Sequence, residues 1–147
     1  MFKFFNSNSS NTLKTEEKKN NFEVDLISSV LAYEVARSDG DIDQEELSRL
    51  LEEIKKISNS VGKSEGDILN LIEIYSQDSV SFYEFIEDIN INFTKEDKLS
   101  MISFLWEVAY ADLKLDVHEE RLIRRIADLI KVKDIEVLKL KDKAKFN

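Results

Sequence analysis

The stretches LAYEVARSDGDIDQEE (31–46) and FLWEVAYADLKLDVHE (104–119) align with each other without a gap. Glu34-Val35-Ala36 falls on Glu107-Val108-Ala109, and Asp39, Ile42, Asp43 and Glu46 fall on Asp112, Leu115, Asp116 and Glu119. An aromatic residue, Tyr33 or Trp106, precedes each Glu-Val-Ala. A repeat of this length marks a duplicated supersecondary unit. Each copy reads as a helix, a short acidic loop and a second helix. The two hairpins are expected to pack about a pseudo-twofold axis, with small Ala36 and Ala109 at the closest approach and Tyr33 and Trp106 as core anchors.

Outward from the repeat, the same start signal recurs: Ser, Thr or Asp followed three residues later by an acid. It stands at Asp43/Glu46, Ser64/Asp67, Ser81/Glu84, Thr94/Asp97 and Asp116/Glu119. An opening helix near Thr15 and a closing one near Asp134 bring the expectation to about seven. Leu47, Leu50, Leu51, Ile54 and Ile57 share one helical face, as do Leu122, Ile123, Ile126, Ala127 and Ile130. Phe22, Leu26, Ile27, Val30, Leu31 and Val35 form a stripe wide enough for a central, largely buried helix. The expected fold is therefore all-α, a compact bundle of about seven helices. Residues 1–14 read as a flexible N-terminal segment and 15–147 as one helical domain.

Composition agrees. The 147 residues include no proline and three glycines, too few turn formers for an all-β chain. The absence of cysteine excludes disulfides, thiolate ligands and thiol nucleophiles. No apolar run reaches the roughly 18 residues of a membrane span, and the N-terminus is short and polar for a secretory signal, so a cytoplasmic protein is expected. The net charge is −9, but residues 21–130 carry 11 basic against 25 acidic residues. Such a body repels nucleic-acid backbones and suits cations or basic partners; it also simply aids solubility. Met1, Phe2, Phe4 and Phe5, with Lys3, make an apolar tip before the polar linker 6–12. Two readings stay open for that tip: folding back on the domain, or peripheral contact with a membrane or protein surface.

The first acidic loop invites comparison with a calcium-binding EF-hand, whose twelve residues carry oxygen ligands at positions 1, 3, 5, 7, 9 and 12 and glycine at 6. With Gly40 at position 6, Asp39, Asp43 and Glu46 fall on 5, 9 and 12. Positions 1 and 3 then become Val35 and Arg37, which offer no side-chain oxygen. A frame starting at Asp39 puts Gln44 on the glycine site and Leu50 on the bidentate one. Neither is an EF-hand. Helix capping accounts for Asp43/Glu46 and Asp116/Glu119. It leaves Asp39, Asp41 and Asp112 unexplained, and it does not require Glu34 or Glu107. If the hairpins pair, Asp39, Asp43, Glu46, Asp112, Asp116 and Glu119 converge as a candidate metal site. All-oxygen ligation favours a hard divalent cation, Ca2+ ahead of Mg2+.

LWEVAYADLKLDVHEERLIRRIADLI (105–130) resembles the second half of the TerB-like tellurite-resistance domain, which is related to the N-terminal domain of DnaJ-like membrane co-chaperones. VARSDGDIDQEE (35–46) is similar to the matching first-half motif. The resemblance covers roughly residues 20–145. It implies a compact domain of about seven helices, a link to stress and tellurite resistance, and divalent-cation binding at Asp39, Asp43, Glu46, Asp112, Asp116 and Glu119. The second loop departs from the family pattern, with Leu113 and Lys114 where glycine commonly follows the aspartate. Leucine resists a positive φ. Lys114 is a competing cation for Asp112, and Arg37 raises the same question in the first loop. No site is visible for tellurite itself, an anion.

His118, the sole histidine, reads as an exposed first-turn residue. No nucleophile–base constellation or phosphate-cradling glycine loop is visible, so an enzyme is not expected. Two roles remain. One is a cation-binding scaffold for an unknown protein partner; the other is a metal-independent helical interaction domain whose loop acids only cap and solvate.

Overall fold

The computed structural model describes residues 13–38, 40–77 and 79–145, with the side chains of 13–22 and 79–81 outside the description. Asp39 and the Met1–Phe5 tip therefore lie outside the described residues. Within them there are seven helices and no strand: α1 Leu13–Ala36, α2 Gln44–Val61, α3 Glu65–Ser76, α4 Ser79–Asn92, α5 Lys95–Ala109, α6 Val117–Leu129 and α7 Asp134–Lys145.

The starts follow the local chemistry. Ser64 Oγ accepts the Asp67 N–H at 3.1 Å at the head of α3. Thr94 and Asp97 complete a reciprocal capping box on α5. One expected start is displaced: α4 begins at Ser79, so Ser81 lies inside the helix and does not cap it. α2 ends with Gly62 left-handed at φ 73°, its N–H returned to Ser58 O.

α1 is the central helix. Leu26, Ile27, Val30, Leu31 and Val35 are each at most 1% exposed, and α1 packs on α2, α3, α5 and α6. α5 is its counterpart from the second repeat and contributes Met101, Ile102, Leu105, Trp106 and Val108 to the same core. Trp106 is fully buried and Tyr33 packs at the core edge. On α2 the expected stripe is narrower than its sequence, because Leu51 stands at its edge, 40% exposed. α7 closes the bundle against α5 and α6, with Lys141 Nζ 2.9 Å from Glu120. No described helix is long and apolar enough to cross a membrane.

Candidate metal centre

The two acidic loops share one backbone design. In the first, Arg37 N–H bonds Tyr33 O, Ser38 N–H bonds Val35 O and Gly40 N–H bonds Arg37 O. In the second, Tyr110 N–H bonds Trp106 O, Ala111 N–H bonds Val108 O and Leu113 N–H bonds Tyr110 O. These are the same three bonds at repeat-equivalent positions. Gly40 and Leu113 both have positive φ, 113° and 66°. Glycine takes such a conformation freely; leucine takes it against a steric cost. Each loop then ends in an aspartate that starts a helix. Asp43 Oδ1 accepts the Glu45 N–H at 2.9 Å, and Asp116 Oδ1 accepts the His118 N–H at 2.7 Å.

After that the loops diverge. Asp116 and Glu119 form a full capping box, with Glu119 Oε1 accepting the Asp116 N–H at 3.2 Å. On α2 no full box closes, although the Asp43 backbone N–H also favours the Glu46 carboxylate. Glu46 and Glu119 are both 2% exposed, and the Oε2 atom of each is buried without a hydrogen-bond donor. Carboxylate oxygens of Asp43, Glu46 and Asp112 lie within 4.8 Å of one another. The cluster thus takes two acids from the first loop and one from the second. Asp112 is prepared for that role by its own turn, in which its Oδ1 accepts the Lys114 N–H at 2.9 Å.

Electrostatics mark the centre as charge-rich and short of countercharge. Burial, then hydrogen bonding to the Glu119 side chain, then the charges of Glu119 and Asp112, push Glu46 from 4.5 to about 9. Two carboxyl groups meet attractively only if a proton or a cation lies between them. Asp43 is held below the usual carboxylate range by hydrogen bonding to the Glu45 side chain and backbone N–H, with Lys114 adding a smaller favourable charge.

The two cations flagged by sequence leave the centre open. Arg37 pairs with Glu34 at 3.5 Å and stacks over Tyr33 at 5.3 Å. Lys114 has no ion pair among the described residues and reaches the cluster only as a distant charge. Glu34 and its repeat partner Glu107 are occupied elsewhere, Glu107 by Arg49 at 2.6 Å. Arg49 also lies over the Phe104 ring at 5.0 Å. This Arg49–Glu107 link between α2 and α5 carries no local sequence signal, since its partners are 58 residues apart. His118 is exposed, as expected.

Of the six sequence candidates, the structure therefore groups Asp43, Glu46 and Asp112. Glu119 sits behind Glu46, and Asp116 is engaged as a cap. Asp39 falls outside the described residues. Beside the cluster opens a cavity of about 660 Å³, bordered by Glu45, Arg49, Glu107, Tyr110 and Leu113.

Seven helices with duplicated acidic loops converging at one end define the class, a compact all-helical domain built on a repeat. The chain belongs to the TerB family: the model of that family, described as tellurite resistance protein TerB, matches residues 25–142. The match takes in both loops, and it makes the chain a tellurite-resistance-related module. Comparison with curated proteins and with solved structures returned no match.

Proposed function

We propose that this domain binds one divalent cation between its two acidic loops and uses the ion to lock the hairpins into a surface for a protein partner. The observation that carries this reading is the convergence of carboxylate oxygens from Asp43, buried Glu46 and Asp112, within 4.8 Å of one another. A buried carboxylate is costly unless a proton or a cation neutralises it, and a cation can take the proton's place. The donor set is all oxygen, which suits a hard ion.

Calcium is the preferred occupant, because carboxylates from two separate loops suit its flexible shell better than the strict octahedron of magnesium. Asp112 is half-buried and Asp43 lies at the exposed rim, leaving water and loop carbonyls to complete the shell. The partner-facing role rests on Leu113 and Val117, apolar yet 90% and 60% exposed beside the cluster. Ion binding would fix the loop that displays them. The role is that of a non-catalytic, cytoplasmic stress-response scaffold.

The alternative is a metal-independent interaction domain in which a proton, shared by Glu46 and Glu119, does the neutralising. Calorimetry separates the two. Titrating calcium into chelator-stripped protein near pH 7, in buffers of different ionisation enthalpy, should show saturable binding and release of close to one proton per ion, because Glu46 must deprotonate to ligate. Absence of saturable heat with calcium and with magnesium would leave only the proton.

A further inference from the structure

The opposite end of the bundle carries a second site. The acidic loops follow α1 and α5; at the other end of α5, the start of that helix meets the α6–α7 turn. There Lys95, Lys98, Lys131 and Lys133 line a cavity of about 300 Å³ with Val132 and Glu136. Lys95 pairs with Glu136 at 3.0 Å. Lys98, Lys131 and Lys133 have no ion pair among the described residues. In a chain of net charge −9, four lysines around one small cavity are an unusual concentration. The N-termini of α5 and α7 also border this mouth, with Glu96 and Asp97 in the first turn of one and Asp134 and Glu136 in that of the other.

The turn itself favours function over stability. Val132 N–H bonds Ala127 O and Lys131 N–H bonds Asp128 O, which is a Schellman closure with Lys131 at the left-handed position, φ 65°. Glycine is the usual occupant because a Cβ is strained there. Lys131 is exposed, so no packing offsets the strain. What the lysine adds is a positive charge at the cavity mouth.

We propose that this lysine-lined pocket binds the phosphate group of a small anionic ligand. The multiple N–H donors of the ammonium groups suit phosphate oxygens. The cavity lies at the small end of ligand-pocket sizes, about 300–1,000 Å³, which accommodates a phosphate or pyrophosphate with little else enclosed. The group is carried either by a soluble compound or by a lipid headgroup. The four lysines come from segments more than thirty residues apart, so the site is invisible as a sequence motif. It does not depend on the acidic loops.

The test is an amide NMR titration of the full chain with inorganic pyrophosphate at fixed ionic strength, with chloride as the control anion. Saturable shifts at residues 95–98 and 131–133, absent with chloride, are expected. Lys98→Ala/Lys133→Ala should weaken binding at least about tenfold, and Lys131→Gly by about two- to fivefold. Because glycine suits the turn, Lys131→Gly should lose affinity without losing melting temperature, which a purely structural lysine would not do. Vesicles of phosphatidylcholine with phosphatidate identify the source. Co-sedimentation lost in the double variant assigns the site to a headgroup, and saturable pyrophosphate binding without co-sedimentation assigns it to a soluble phosphate. Linear shifts scattered over all lysines, or equal binding by the double variant, would overturn the proposal.

Discussion

The two acidic loops agree bond for bond along the backbone and part company at one side chain. Both carry Asp-x-x-Glu at a helix start, and in both the glutamate is buried. Glu119 spends an oxygen on the Asp116 N–H and completes a capping box, both glutamates keep a buried Oε2 without a donor, and Glu46 is the one grouped with Asp43 and Asp112. Duplication supplied the geometry twice. One copy completes a capping box, and in the other the glutamate joins Asp112 of its neighbour's loop. A motif match therefore says where an acid stands, and packing decides what it does.

The sharpest way to break this asymmetry is Glu46→Gln. It keeps the shape, removes the charge and should lower calcium affinity by about 30-fold or more, a loss of ~2 kcal/mol or above by calorimetry. Asp116→Ala should leave calcium affinity nearly unchanged while costing about 1 kcal/mol of stability through the lost cap, read by urea unfolding. Equal loss of affinity in both variants would mean that the loops act alike.

A comparable effect should follow from pH. A free glutamate titrates near 4.5, but folded Glu46 keeps its proton up to about 9. Across that window the folded state binds more protons than the unfolded one, so stability without metal falls as pH rises, by up to ~1.4 kcal/mol per pH unit. Asp25, raised to about 6 by burial and then by Glu53, adds to the same fall at the acidic end. In Glu46→Gln most of the slope above about pH 7 should be lost. Saturating calcium should flatten it in the wild type, because the ion displaces the proton. Urea midpoints at pH 6, 7.5 and 9 measure all three.

The backbone offers a smaller test. Leu113→Gly should stabilise the protein by about 1 kcal/mol by relieving the positive φ, and Gly40→Ala should destabilise it by about 1–2 kcal/mol. A Cβ at Gly40 meets nothing within 4 Å, so that cost is conformational. Smallest of all is Arg37→Ala. The half-exposed pair with Glu34 is worth about 0–1 kcal/mol, and its loss should not change calcium affinity, since Arg37 is paired with Glu34 and with none of the cluster acids.

Most of this fold could be read from sequence because capping and apolar periodicity are local. The Thr94/Asp97 and Asp116/Glu119 boxes marked helix starts, and the stripe from Leu26 to Val35 marked the central helix. Ser81 misled because a helix already under way offers the same Ser-x-x-Glu pattern as its start. The site was legible as six acids, and no finer. Which of them converge depends on how α2 sits against the α5–α6 loop, a relation between residues some seventy positions apart. Arg49 shows the same limit: it is fixed by Glu107, 58 residues away, and only packing reveals it, whereas the Arg37–Glu34 pair follows local i,i+3 spacing.

The most direct measurement is a calcium titration of chelator-stripped wild type and Glu46→Gln, followed by two-dimensional amide NMR. One saturable event moving residues 40–46 and 111–116 together in the wild type, and lost in the variant, is the expected result. Saturable shifts confined to one loop, or identical in Glu46→Gln, would contradict an ion held between the repeats by Glu46.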